Sequence, residues 1–102
     1  MTSSVRLGVR TRNGTTAVMP HGELDLATRE PLRDALRGCQ GDVVVDLSSV
    51  TFLDASSIGV FVSERRRLSA NGGRLSLSGA TGIVERVLAL VGHAPQDDSA
   101  RG

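Results

Sequence analysis

The 102-residue chain reads as an α/β domain built on a mixed, mostly parallel four-stranded sheet packed with three to four helices. Three observations predict it. Val5, Leu7 and Val9 alternate with Arg6, Gly8 and Arg10, and Asn13-Gly14 separates them from the β-favouring run Thr15 to Met19, which is a hairpin pattern. Val43-Val44-Val45 with Leu47 is a nearly continuous β-branched run, as in a central strand covered on both faces. Helix-period stripes then alternate with strand-like runs, giving the order β-β-α-β-α-β-α, a hairpin leading into two β-α-β units.

The first strand is expected at an edge of the sheet. Pro20 is expected to end regular pairing of the second, because it has no N–H to give to a ladder. Gly22-Glu23-Leu24-Asp25 follows, then Thr28 as the N-cap of a first helix with Pro31 in its first turn and Leu32, Ala35 and Leu36 on its inner stripe up to Gly38. After the Val43 to Leu47 strand, a short link carrying Phe52 and Leu53 leads into a second helix. Its buried stripe is predicted as Ile58, Phe61, Val62 and Leu68, and its wet face as Glu64, Arg66, Arg67 and Ser69, with a stop at Asn71-Gly72-Gly73. Arg74 to Ser78 alternates as the last strand. Thr81 caps a third helix with Ile83, Val84, Val87, Leu88 and Val91 on one face and Gly92 past its end. One domain over residues 1–92 and a flexible polar tail over 93–102 are expected, with no internal repeat.

Composition narrows the function. The net charge of +1 is too small for a nucleic-acid footprint, and two phenylalanines are the whole aromatic content, which leaves little for bases to stack on. Every basic side chain is Arg, so Schiff-base chemistry, a P-loop lysine and a receiver-type lysine are excluded. No apolar run reaches the roughly 18 residues of a membrane span, and no charged leader with an apolar stretch opens the chain. A lone Cys39 makes no internal disulfide and reads as a loop or half-buried thiol. The expectation is a cytoplasmic protein that contacts neither membrane nor nucleic acid directly.

Asp25, Asp46 and Asp54 fall near the carboxyl ends of predicted strands, where open α/β sheets collect ligands. A phospho-aspartate with bound magnesium would want a lysine, and aspartates at strand ends commonly cap and turn the chain, so no metal and no cofactor are expected. Ser56 or Ser57 as a nucleophile would need a base from His21 or His93, and no G-x-S-x-G elbow surrounds them; an enzyme is not expected. Arg65-Arg66-Arg67, offset by Glu64, reads as a solvated face. The stretch Asp54-Ala55-Ser56-Ser57 is different. One residue suffices for an N-cap, worth roughly 0.5–2 kcal/mol, yet three polar residues gather here. Gly59 follows where Ala would favour the helix by about 1 kcal/mol, which suggests that something approaches closely.

The motifs Gly22-Glu23-Leu24-Asp25, Val43 to Leu47 and Phe52-Leu53-Asp54-Ala55-Ser56-Ser57-Ile58-Gly59, with the helical run Ile83 to Gly92, resemble the STAS-domain anti-anti-sigma factors of bacteria across Val5 to Gly92. The resemblance implies a STAS fold and a partner switch. The unmodified protein would bind an anti-sigma factor with a GHKL-type serine kinase fold and so free a sigma factor. ATP-dependent phosphorylation of a serine would end the complex, and a phosphatase would restore it. Matched residue by residue, Asp54 takes the family aspartate's place and Ser56 the acceptor's, with Ser57 as second choice where the family often carries glycine. Glu23, Asp25, Asp54, Ala55, Ser56, Ser57, Ile58 and Gly59 would form the partner-binding surface. The alternative is a ligand- or nucleotide-binding STAS sensor or scaffold module, motivated by polar groups at a helix N-terminus.

Overall fold

The computed structural model describes residues 5–90. Strands β1 (Val5–Arg12) and β2 (Thr15–Leu24) form the antiparallel hairpin. Asn13 and Gly14 both take positive φ, 54° and 83°, as a two-residue type I′ turn requires, and the edge position of β1 follows the expectation. Helix α1 (Arg29–Arg37) leads to β3 (Asp42–Asp46), then β4 (Val50–Leu53), α2 (Ala55–Ala70), β5 (Arg74–Ser78) and α3 (Gly82–Leu90). Val91, Gly92 and the predicted tail from His93 lie outside the described residues.

Among the described residues the sheet has five strands, not four. Its main order is β1-β2-β3-β5, and β4 also pairs with β2. The link predicted around Phe52 and Leu53 is therefore a strand. Long β2 uses one edge twice: Thr15 to Val18 run parallel to β3, and Gly22 to Leu24 run parallel to β4. Pro20 sits between these two pairings, so a missing N–H there breaks neither parallel ladder. The strand continues through it, with Pro20 buried opposite Leu7, which corrects the expected stop.

One cluster of buried side chains joins Val18 and Leu24 of β2, Val43 and Val45 of β3 and Leu75 of β5 to Leu32 and Leu36 of α1, Phe61 and Leu68 of α2 and Val84 and Leu88 of α3. Each fully buried Leu contributes about 1.5–3 kcal/mol relative to exposure. Strand β3 alternates, with Val43 and Val45 inside and Val44 and Asp46 half-buried, so the sheet is sealed on one face and not on both as its β-branched run suggested. Val9 of β1 and Ile83 of α3 are likewise exposed, against their predicted inward stripes.

The sequence reading placed Glu64 on the wet face of α2, and the fold buries it to 2% exposure. Its carboxylate accepts from Arg67 Nε at 2.7 Å and from Arg37 Nε at 3.4 Å. Arg67 Nη2 also donates to the carbonyls of Leu36 (2.9 Å) and Cys39 (3.2 Å). Arg67 thus belongs to a network that ties the end of α1 to α2, and the solvated-face reading fails for it. Cys39 is buried beside it, its thiol donating to the Ala35 carbonyl; burial pushes the thiol pKa up, against a smaller lowering by the Arg67 charge.

Candidate functional site

Register brings the predicted site together. Glu23 pairs with Phe52 and Leu24 with Leu53, so β2 and β4 end side by side, and Asp54 N–H donates to the Leu24 carbonyl at 3.1 Å. Each strand hands the chain to a helix through an aspartate. Asp25 Oδ1 accepts from the N–H groups of Ala27 (3.0 Å) and Thr28 (3.1 Å), opening a short 3-10 turn over Leu26–Thr28. Thr28 is buried, and its hydroxyl oxygen accepts from Asp25 N–H at 2.9 Å. Asp25 caps the 3-10 turn with Thr28 as its reciprocal partner; Thr28 occupies the N-cap position of α1 as expected, but its side chain makes no cap bond there.

Asp54 caps α2 in extended conformation (φ −111°, ψ 176°). A single oxygen, Oδ1, accepts from Ser56 Oγ at 2.6 Å, Ser57 N–H at 3.1 Å and Ser57 Oγ at 3.3 Å. Burial works against the charge of Asp54, but hydrogen bonds from Ser56 and Ser57 outweigh it and hold the carboxyl below the usual aspartate range.

The two serines are not equivalent. Ser57 is completely buried, whereas Ser56 is half-buried with its hydroxyl oriented by Asp54. Ile58 is buried as well, while Ala55 and Gly59 are exposed. A Cβ built on Gly59 would meet nothing within 4 Å, so no part of the described chain makes the close approach expected there. The sequence reading passed over two exposed apolar side chains next to these residues: Leu26, directly after Asp25, and Phe52, in register with Glu23. Leu26 carried a signal, because it falls outside the inner stripe of α1.

Asp46 is not part of this cluster; its Oδ1 accepts from Ser48 N–H at 3.0 Å in the turn between β3 and β4. Among the described residues, no three His, Cys, Asp or Glu side chains come together to hold a metal, and no helix is long and apolar enough to cross a membrane. A polar cavity of about 440 Å³ lies at the other end of α2, lined by Gln40, Gly41, Arg67, Leu68 and Asn71, well along the helix from Ser56.

Two neighbouring strand ends thus each open a helix through a capping aspartate, with a half-buried serine on the second. The STAS family model matches residues 6–96, and the chain belongs to the STAS domain family. Among solved structures, an anti-sigma factor antagonist from Mycobacterium paratuberculosis superposes with a TM-score of 0.78 at 24% identity, covering 99% of this chain and 96% of that one. The Bacillus anti-sigma factor antagonist SpoIIAA in its unphosphorylated form gives 0.69 at 22% identity over 97% and 99% of the two chains. TM1081 from Thermotoga maritima gives 0.76 at 26% identity over 83% and 77%. The fold also recurs within a longer protein, Mglu, of which this chain spans 19%, at 23% identity and a TM-score of 0.63.

Proposed function

We propose that the chain is a cytoplasmic anti-sigma factor antagonist switched by phosphorylation of Ser56. Unmodified, it binds an anti-sigma factor with a GHKL-type serine kinase fold and so releases a sigma factor. The kinase transfers the γ-phosphoryl of ATP to Ser56 Oγ: an Oγ–P bond forms, the bond to the departing ADP breaks, and the hydroxyl proton passes to solvent. A phosphatase hydrolyses the ester and resets the switch.

The observation that carries this reading is the contrast between the serines, with Ser56 half-exposed and aimed by Asp54 at 2.6 Å and Ser57 fully buried. Glu23, Asp25, Asp54, Ala55, Ser56 and Gly59 make the docking surface, with exposed Leu26 and Phe52 as its apolar contacts; Ser57 and Ile58 support it from beneath. The bare surface of Gly59 suits a partner backbone at close range. A phosphoryl group carrying about −1.5 to −2 charge must be desolvated in such an interface, and each 1.4 kcal/mol of that penalty weakens binding about tenfold. The fold survives the modification, because a phosphate at a helix N-terminus is favourable by itself.

Incubation with the cognate kinase and ATP, followed by mass-spectrometric mapping, should place the phosphate on Ser56. Ser56→Ala should abolish labelling while keeping binding, and Ser56→Asp should weaken binding. Label on Ser57, or kinase binding by Ser56→Asp equal to wild type, would overturn the assignment.

A further inference from the structure

Three donors converge on Asp54 Oδ1, and one of them is the hydroxyl that the proposed switch consumes. In the unmodified protein the hydrogen of Ser56 Oγ lies between two oxygens 2.6 Å apart. After phosphorylation Oγ is an ester oxygen with no hydrogen to give. Lone pairs then face each other across a gap too short for unbonded oxygens, and a dianion stands beside a carboxylate. The 2.6 Å contact between Oγ and an ionised Oδ1 cannot persist. Moving Oδ1 away withdraws the acceptor from Ser57 N–H and from the Ser57 hydroxyl, which is wholly inside the protein. The free N–H groups of the first turn of α2 then face the phosphoryl oxygens, stronger anions at the positive end of the helix.

We propose that phosphorylation of Ser56 evicts Asp54 from the cap of α2, the phosphoryl group takes over the capping, and the released carboxylate becomes a second negative charge on the docking face. Asp54 is then a positioning residue in the unmodified form and a repelling one in the modified form. The proposal rests on Ser56 as the modified residue and adds an internal exchange of caps to the switch.

The test does not need the kinase. Phosphoserine is placed at position 56 during translation, so a failed kinase assignment leaves this experiment intact. Thermal unfolding is compared for unmodified and phosphorylated protein, each with Asp54, Asp54→Ala and Asp54→Asn. In the unmodified protein Asp54→Ala should lower Tm by roughly 4–8 °C, the effect of one lost cap in a domain this small. Asp54→Asn, which keeps an acceptor for Ser57 N–H, should lower it much less. In the phosphorylated protein Asp54→Ala and Asp54→Asn should both leave Tm at or above its value with Asp54, because each removes a repelling charge from a residue that no longer caps. Equal losses for Asp54→Ala in both forms would show that Asp54 still caps the helix after phosphorylation and would overturn the proposal.

Discussion

Two carboxylates lie on the buried side of α2, Asp54 at its N-cap and Glu64 past its middle, and the two are held by different chemistry. Glu64 is nearly sealed from water and answered by two guanidinium groups in ion pairs. Asp54 is half-buried and answered by two hydroxyls and one N–H, neutral donors of which one, the Ser56 hydroxyl, is open to chemistry. The first arrangement suits permanence and the second suits change. A helix that must present a switch at its N-terminus gains from being fastened at a point more than two turns away.

The largest effect should come from breaking the fastened end. Arg67→Ala removes the main partner of a buried carboxylate and the donor to two carbonyls at the end of α1, so a loss of about 3 kcal/mol is expected in urea unfolding. A loss no larger than that for exposed Arg66→Ala would show that Glu64 is held by Arg37 alone. Next in size is Gly73→Ala. The added Cβ would collide with the Gly41 carbonyl oxygen where the strands start, and about 1–3 kcal/mol of overpacking strain is expected.

At the changeable end the effects are smaller. Asp54→Ala should cost about 1 kcal/mol in the unmodified protein. Its pH dependence has a definite sign: the folded carboxyl titrates below its unfolded value of about 3.9. Its contribution is therefore complete above that value and lost as pH falls through the lower folded one. The stability gap between wild type and Asp54→Ala should shrink on acidification below about pH 4, as urea titrations at several pH values would show; a gap that does not shrink at all contradicts the charged cap. Gly59→Ala should be mildly stabilising, by about 0.5–1 kcal/mol, since the new methyl group meets only solvent. Gly59→Arg should leave stability near wild type while preventing partner binding in a pull-down, and retained binding would remove Gly59 from the docking surface.

Much of the fold was legible because its signals are local. Asn13-Gly14 specifies its own turn, and the Val43 to Leu47 run could be little other than an inner strand. What escaped depends on distant chain. Strand β4 shows no period-2 pattern: Thr51 and Phe52 are both exposed between buried Val50 and Leu53, because the pairing shifts register between Gly22 and Glu23 of β2. The inward turn of Glu64 is paired from Arg37, 27 residues away, although its spacing from Phe61 and Leu68 had already put it on the apolar stripe. At the candidate site, the motifs ranked Ser56 ahead of Ser57, but the unequal burial of the two could not be read from them. Neighbours in sequence on a helix point about 100° apart, and only the packed core decides which of them faces inward.

The double use of β2 by two parallel neighbours also bears on the order of assembly. Its hairpin with β1 closes across two residues and can form in about 1–10 μs, whereas its pairing with β4 must wait until the α1 crossover and β3 have returned the chain to the same edge. The end of the molecule that bears Asp54 and Ser56 is thus expected to consolidate last and open first. Native-state hydrogen exchange should find the Asp54 and Gly22 amides less protected than those of Val43 to Val45.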